Sequence, residues 1–427
     1  MRKIWLVVVI VAVLGAGYLG AQAYSSHVFE RELTRTLENL RANQQWQVTR
    51  DEVERGWFHS SGRLKITPVG EQAWWLITPY VARHGLLSTR LDGALQAYLD
   101  SSEFESLQSG LHQGETVLFG DVLDSAEPRW VTTLHTLDRR AEGRLNIPSF
   151  VLTREGEQLS SEGAEFTFDG HASDIRIEGV ITPLQWQNAT TRLIAGPLRI
   201  DSRYRVAGGD YLSQHSELVL EQLQYDARQQ APITLLGLRY ESDTQLDEQF
   251  AINGSVALDE ARVAGESMLS GRLNARLERL NGDAVRRLQA QFATLVEEQA
   301  SDFWSLSDAE RNALIERLEP VLLATLMDSP RFTLEGITLR SPLFGVDVRG
   351  SGELVFAGDD SQTLSINDLL NGNTQAWRER LNGSFSWKGV PPLLALQLGL
   401  SPDTRQFEMQ VKQGNLLIND KPLPPLF

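Results

Sequence analysis

Cysteine is absent from the 427 residues. That excludes thiol nucleophiles, disulfide staples and metal–thiolate centres. It does not fix the compartment, because a chain of this length can bury a core without covalent cross-links. Lysine is almost as scarce, with only five among the 40 basic residues. Against 56 acidic residues the formal charge is −16 and the pI is near 5.0. A nucleic-acid binder needs a basic face to displace counterions, so that class is excluded.

Catalytic signatures are missing too. The seven histidines (His27, His59, His84, His112, His135, His171 and His215) never pair at i+2, i+3 or i+4, the spacings of local zinc signatures. There is no Gly-x-Ser-x-Gly elbow, no Ser-x-x-Lys, no phosphate-cradling glycine loop and no dinucleotide fingerprint. The acidic turn Gly358, Asp359, Asp360 reads as a solvated loop. Paired carboxylates for glycoside chemistry need no local spacing, so a hydrolase with dispersed carboxylates stays as the enzyme alternative. The expectation is a non-catalytic protein without cofactor or metal.

What is present begins at the N-terminus. Arg2 and Lys3 precede an uncharged run of 21 residues, Ile4 to Tyr24. As a helix this run measures roughly 30 Å, the thickness of a bilayer's hydrocarbon core. A secretory signal has a shorter apolar stretch, of about 7 to 15 residues. Ala21, Gln22 and Ala23 nevertheless have the pattern of a cleavage site, so a retained anchor and a cleaved signal are both open. Either way the bulk is exported, with the N-terminus cytoplasmic. No later run approaches this length; Val321 to Met327 is a third of it.

After the span, residues 25–46 read as a stalk helix, with Val28, Leu33, Leu37 and Leu40 on one stripe. From about Val48 the apolar period changes to two. In Pro197 to Val206, Leu198, Ile200, Tyr204 and Val206 alternate with Arg199, Asp201, Arg203 and Arg205. That is a strand with one apolar and one polar face. The pattern returns at 62–66, 174–181, 271–280, 331–339, 352–356, 383–387 and 406–420. Many of these runs are entered through Asn-Gly, Ser-Gly or Gly-Ser, which supply hairpin turns.

A helical insertion at about 283–328 interrupts the strands. Its first stripe is Val285, Leu288, Phe292 and Leu295; its second is Leu314, Leu318, Val321 and Leu322, opened by a Ser307–Glu310 capping pair. Pro320 predicts a kink or a split. Short helices are predicted at 366–371, 374–381 and 391–400. The predicted fold is α+β, mainly β: an N-terminal transmembrane helix (1–24), the stalk, and an elongated antiparallel β-meander over 47–427 with a helical hairpin packed on it.

One cluster, Glu54 to Pro68, sets an Arg-Gly pair before two aromatics and a strand. Its bland reading is an aromatic anchor closing a hairpin; its sharper one is a partner or lipid contact. In its Arg-Gly-x-Phe-x-Ser element (Arg55, Gly56, Phe58, Ser60) the chain resembles the YdgA-like family of uncharacterised bacterial inner-membrane proteins. His84 and Gly85 are similar to the family's His-Gly-Pro element, with Leu86 in place of the proline. Leu277 to Phe292 and Gly414 to Leu426 are similar to a late strand–helix junction and a C-terminal hairpin. The resemblance implies a single-span protein of the Gram-negative inner membrane, its domain in the periplasm, with no established activity and no catalytic residues.

The anchor-plus-meander plan also looks like that of AsmA-type envelope proteins, by layout alone. The expectation is therefore an envelope-maintenance protein that binds phospholipid along an apolar sheet face. The alternative is a scaffold for an envelope protein partner. Arg55, Gly56, Trp57, Phe58, His84 and Gly85 are the candidate contacts.

Overall fold

The computed structural model describes residues 21–38, 40–41, 46–68, 74–100, 115–154, 156–171, 173–207, 211–298 and 307–422, with backbone alone for 100, 115–116, 154, 207, 293–298 and 308–311. All but the last four residues of the expected span lie outside this set. Among the described residues no helix is long and apolar enough to cross a membrane. The protein is mainly antiparallel β with few helices. It divides into two compact units, one of residues 1–182 with 293–301, the other of 183–292 with 302–427.

The first unit opens with helix α1, described over 21–38 and so already helical across the four residues before the expected stalk. Its strands are β1 (Trp46–Glu54), β2 (His59–Pro68), β3 (Trp74–His84), β4 (Ser88–Ala94), β5 (Gln96–Asp100), β6 (Glu115–Val117), β7 (Arg129–His135), β8 (Ala141–Ile147), β9 (Phe150–Arg154), β10 (Glu157–Ser161), β11 (Ala164–His171) and β12 (Asp174–Ile181). They pair in the order β1–β2–β3–β4–β7–β8–β11–β12, antiparallel throughout. The helix is not a free stalk. Phe29 packs with Tyr80, Ala82 and Leu91, and Leu33, Leu64, Trp130 and Leu134 surround them. Small residues make room for the large ones: a side chain at Gly93 would meet the Trp130 ring at 2.4 Å.

The second unit carries β13 (Leu184–Gln187), β14 (Thr191–Ala195), β15 (Leu198–Ala207), β16 (Tyr211–Ala227), β17 (Gln230–Leu246), β18 (Gln249–Val263), β19 (Glu266–Asn281), β20 (Arg331–Ser341), β21 (Val346–Phe356), β22 (Leu381–Lys388), β23 (Gln406–Lys412), β24 (Asn415–Ile418) and β25 (Lys421–Pro422). From β15 onward each strand pairs with the next. Strands β16 to β19 hold 15 to 17 residues each, so at about 3.3 Å per residue they run roughly 50 Å, far beyond an ordinary strand.

Helix α2 (Gly282–Glu298) leaves β19 with its first turn capped by Asn281, whose Oδ1 accepts from the Ala284 amide at 3.0 Å. The predicted stripe only partly finds cover, since Phe292 is exposed; Leu295 and Glu310 lie outside the described side chains. Helix α3 (Asp308–Thr325) is not split by Pro320. Leu314 and Leu318 are buried as predicted, but beyond the proline the buried positions are Leu323, Ala324 and Thr325 instead of Val321 and Leu322. Pro320 removes one backbone donor and alters the helix locally, which lets the buried face shift. The helix packs against α4 (Ile366–Leu370), the turn Ser361–Thr363 and, more lightly, strand β19; Ser361 Oγ donates to the Leu323 carbonyl at 3.1 Å. The remaining helices, α5 (Gln375–Arg378) and α6 (Pro392–Gln397), fall where the sequence predicts them. Around α6 a small dry cluster forms from Val390, Phe407 and Ile418.

Candidate functional site

The alternation of β2, β3 and β4 puts Ser60, His84 and Thr89 on the face that α1 covers. His84 Nε2 lies 2.8 Å from Ser60 Oγ and its Nδ1 lies 3.0 Å from Thr89 Oγ1. Helix α1 completes the network: Ser25 Oγ is 3.3 Å from Thr89 Oγ1 and 2.8 Å from Thr136 Oγ1. Gln22 Nε2 donates to the His84 carbonyl at 3.0 Å, and Ser26 Oγ donates to the Gly56 carbonyl at 3.0 Å. Burial depresses the His84 pKa; Glu30 opposes this and His59 adds to it. Burial thus disfavours the charged ring, and the hydroxyls around it fill its hydrogen-bonding positions.

Beside this node Arg50 of β1 forms a two-pronged pair with Glu30 of α1, at 2.8 and 2.9 Å, and its Nε donates to the Tyr80 hydroxyl at 2.7 Å. Burial alone would raise the Glu30 pKa, but the hydrogen bond and charge of Arg50, with Arg55 behind it, hold it low. Arg55 reaches the same carboxylate at 3.2 Å. An open groove of about 790 Å³ runs along the outer side of α1, lined among others by His27, Arg31, Arg35, Arg55 and Trp57.

The two elements singled out in the sequence thus meet in space. The His84 amide donates to the Phe58 carbonyl at 2.8 Å, and Ser60 bonds the His84 ring. Gly56 and Gly85 sit in tight turns, where an added Cβ would lie 2.7 Å from the His59 carbonyl and 3.0 Å from that of Ser88. The sequence reading missed Gln22, Ser25, Glu30, Arg50, Thr89 and Thr136. Ser25 and Phe29, one turn apart on the helix, were the available signal. Ser60 and His84 have the spacing of a nucleophile and its base, with a threonine where an orienting carboxylate would stand. Ser60 is 0% exposed, however. Beneath α1 the arrangement acts as a buried latch that joins α1 to three hairpins.

In the second unit the register builds a different surface. Leu218, Tyr240, Val256, Leu273 and Ile337 stand opposite one another across β16 to β20. Flanking rows hold Leu220, Leu238, Leu258 and Leu339 on one side and Ile252, Leu277, Phe332 and Leu354 on the other. In these rows Tyr240, Val256, Leu273, Phe332 and Leu339 are 37 to 41% exposed. The opposite face is polar. There His215, Glu241 and Asp243 bring one ligand atom each within 4.8 Å of one another, and His215 Nδ1 lies 2.7 Å from Asp243 Oδ1. Cross-strand register makes this trio, which is why no local histidine spacing announced it.

Fold and site together define a two-unit, strand-dominated protein with a latched N-terminal helix and a long sheet whose apolar face is left half open. The chain belongs to the family described as bacterial protein of unknown function (DUF945), whose model matches residues 1–377. No curated protein and no solved structure matches it.

Proposed function

We propose that this is a membrane-anchored periplasmic protein of envelope maintenance, a non-catalytic module that holds lipid acyl chains on the apolar face of its second unit. The observation that carries this reading is the set of three apolar rows across β16 to β20, none of whose side chains is fully buried and in which Tyr240, Val256, Leu273, Phe332 and Leu339 are 37 to 41% exposed. An apolar face this extensive is costly to leave in water and marks a site of interaction. Each methylene of a lipid tail taken out of water there contributes about 0.8 kcal/mol. The uncharged run Ile4 to Tyr24 supports a tether to the source of such lipid, and the AsmA-type plan enters as analogy of layout alone.

The test is mass spectrometry of lipid extracted from the full chain purified in mild detergent. Phospholipid should copurify with the wild type and be reduced at least fivefold by Tyr240→Glu with Leu273→Glu. Equal lipid in both proteins would refute the proposal. So would a single dominant protein crosslinked in cells to photoreactive residues at 240 and 273, which would favour the scaffold alternative.

A further inference from the structure

We infer that the end of the first unit at which α1 begins is a bilayer-docking collar, built from hairpin tips that enter the headgroup region. The inference rests on the reading of Ile4 to Tyr24 as a retained span. Four turns lie at this end; the one between β11 and β12 carries His171, Ser173 and Asp174, and the three joined to α1 are 55–58 between β1 and β2, 85–87 between β3 and β4, and 136–140 between β7 and β8. Turns at the rim of a sheet are ordinarily polar or rich in glycine. These three instead display Trp57, Phe58, Leu86, Leu87 and Leu137, and α1 adds Tyr24 at the same end; all six are 43 to 76% exposed. At the opposite end of the same sheet, the turns that follow β8 and β10 carry Pro148, Ser149, Glu162 and Gly163.

The tips form one surface because backbone and buried side chains bind them to one another. The His84 amide donates to the Phe58 carbonyl and the Thr136 amide to the Leu87 carbonyl, both at 2.8 Å. Gln22, Ser25 and Ser26 fasten the start of α1 to the His84 carbonyl, to Thr136 and to the Gly56 carbonyl. The buried latch therefore fixes the angle at which the chain enters this end.

The occupant follows from continuity. The residues that lead into Tyr24 are the uncharged run, so a bilayer that holds the run places its interface at the tips. Tryptophan and tyrosine favour that interface, where one side of the ring meets hydrocarbon and the other meets water. Arg55 and Arg139, held by Glu30 and Glu32 at 3.2 and 3.5 Å, border the tips with charge of the sign that lipid phosphates attract.

The absence of cysteine gives a direct test. Single cysteines replace Trp57, Leu86, Leu137 or, as a control at the far end, Ser149 in the full chain, each labelled with a polarity-sensitive fluorophore. The proteins are placed in nanodiscs of phosphatidylethanolamine and phosphatidylglycerol that contain headgroup-region nitroxide lipid. Labels at 57, 86 and 137 should be blue-shifted and quenched at least threefold more than the label at 149. Equal quenching at all four positions, with the protein still in the discs after an alkaline wash, overturns the collar alone. Release of the protein by that wash overturns the anchor and the collar together. Neither result bears on lipid held by the second unit, which the copurification experiment reads separately.

Discussion

The two units use the same alternating strands and reach opposite outcomes. In the first, α1 lies on the sheet, and Phe29, Tyr80 and Ala82 are at most 3% exposed. In the second, the residues that occupy the corresponding apolar face, Tyr240, Val256 and Leu273, are near 40%. Period-two patterning says which face is apolar; it does not say what lies against that face. The first unit has its own cover, supplied from a distant part of the sequence. Among the described residues the second has it around α6 and where α3 meets β19.

The sharpest way to break this contrast is to remove matched side chains. Phe29→Ala should cost about 4 kcal/mol, because a buried aromatic leaves a cavity. Denaturant unfolding of the full chain would read it as a lowered midpoint for the first unit. His84→Ala should come next at about 3 kcal/mol, since it strands the hydroxyls of Ser60, Thr89 and Ser25 in a dry interface. A loss under about 1 kcal/mol in either variant would mean that α1 is not truly fastened to the sheet.

Acidity should divide the units in opposite senses. His84 has a depressed pKa, from burial, so the unfolded chain takes up the proton first. The first unit should lose stability as pH falls below about 6.5, the ordinary histidine value, and His84→Ala should remove that slope. His215 has a raised pKa, chiefly from its hydrogen bond to Asp243. Its contribution is complete below the ordinary histidine value and fades as pH rises through the elevated one, a small effect for so exposed a pair. Unfolding midpoints followed between pH 5 and 8 would show both trends or contradict them. The smallest effect among the truncations belongs to Leu273→Ser, which should cost no more than about 2 kcal/mol, because 38% of the residue already faces water. A loss comparable to that of Phe29→Ala would mean that the face is covered after all.

Local chemistry was legible in the sequence. Strand β12 coincides with the run Asp174 to Ile181, β15 with the alternation from Leu198, and the three short C-terminal helices with their apolar clusters. The Arg-Gly-x-Phe-x-Ser and His84 elements were both noticed, but their meeting was not. Ser60 and His84 are 24 positions apart and joined through a hairpin, and the helix that buries them is a further 30 or so positions upstream. The same limit hid His215, Glu241 and Asp243, whose proximity depends on the register of β16 against β17. The shift of the α3 stripe past Pro320 was foreseen as a disturbance but not in its direction, because that depends on what α4 offers to pack against.

Among the described residues the last strand of the meander is β25, Lys421–Pro422. A sheet built of consecutive hairpins would otherwise offer its final strand as a template to any neighbouring chain. Here the ring nitrogen of Pro422 withholds a donor, and the ammonium of Lys421 resists being stacked against its own copy. At these two positions the edge is a poor template for pairing with a neighbouring chain.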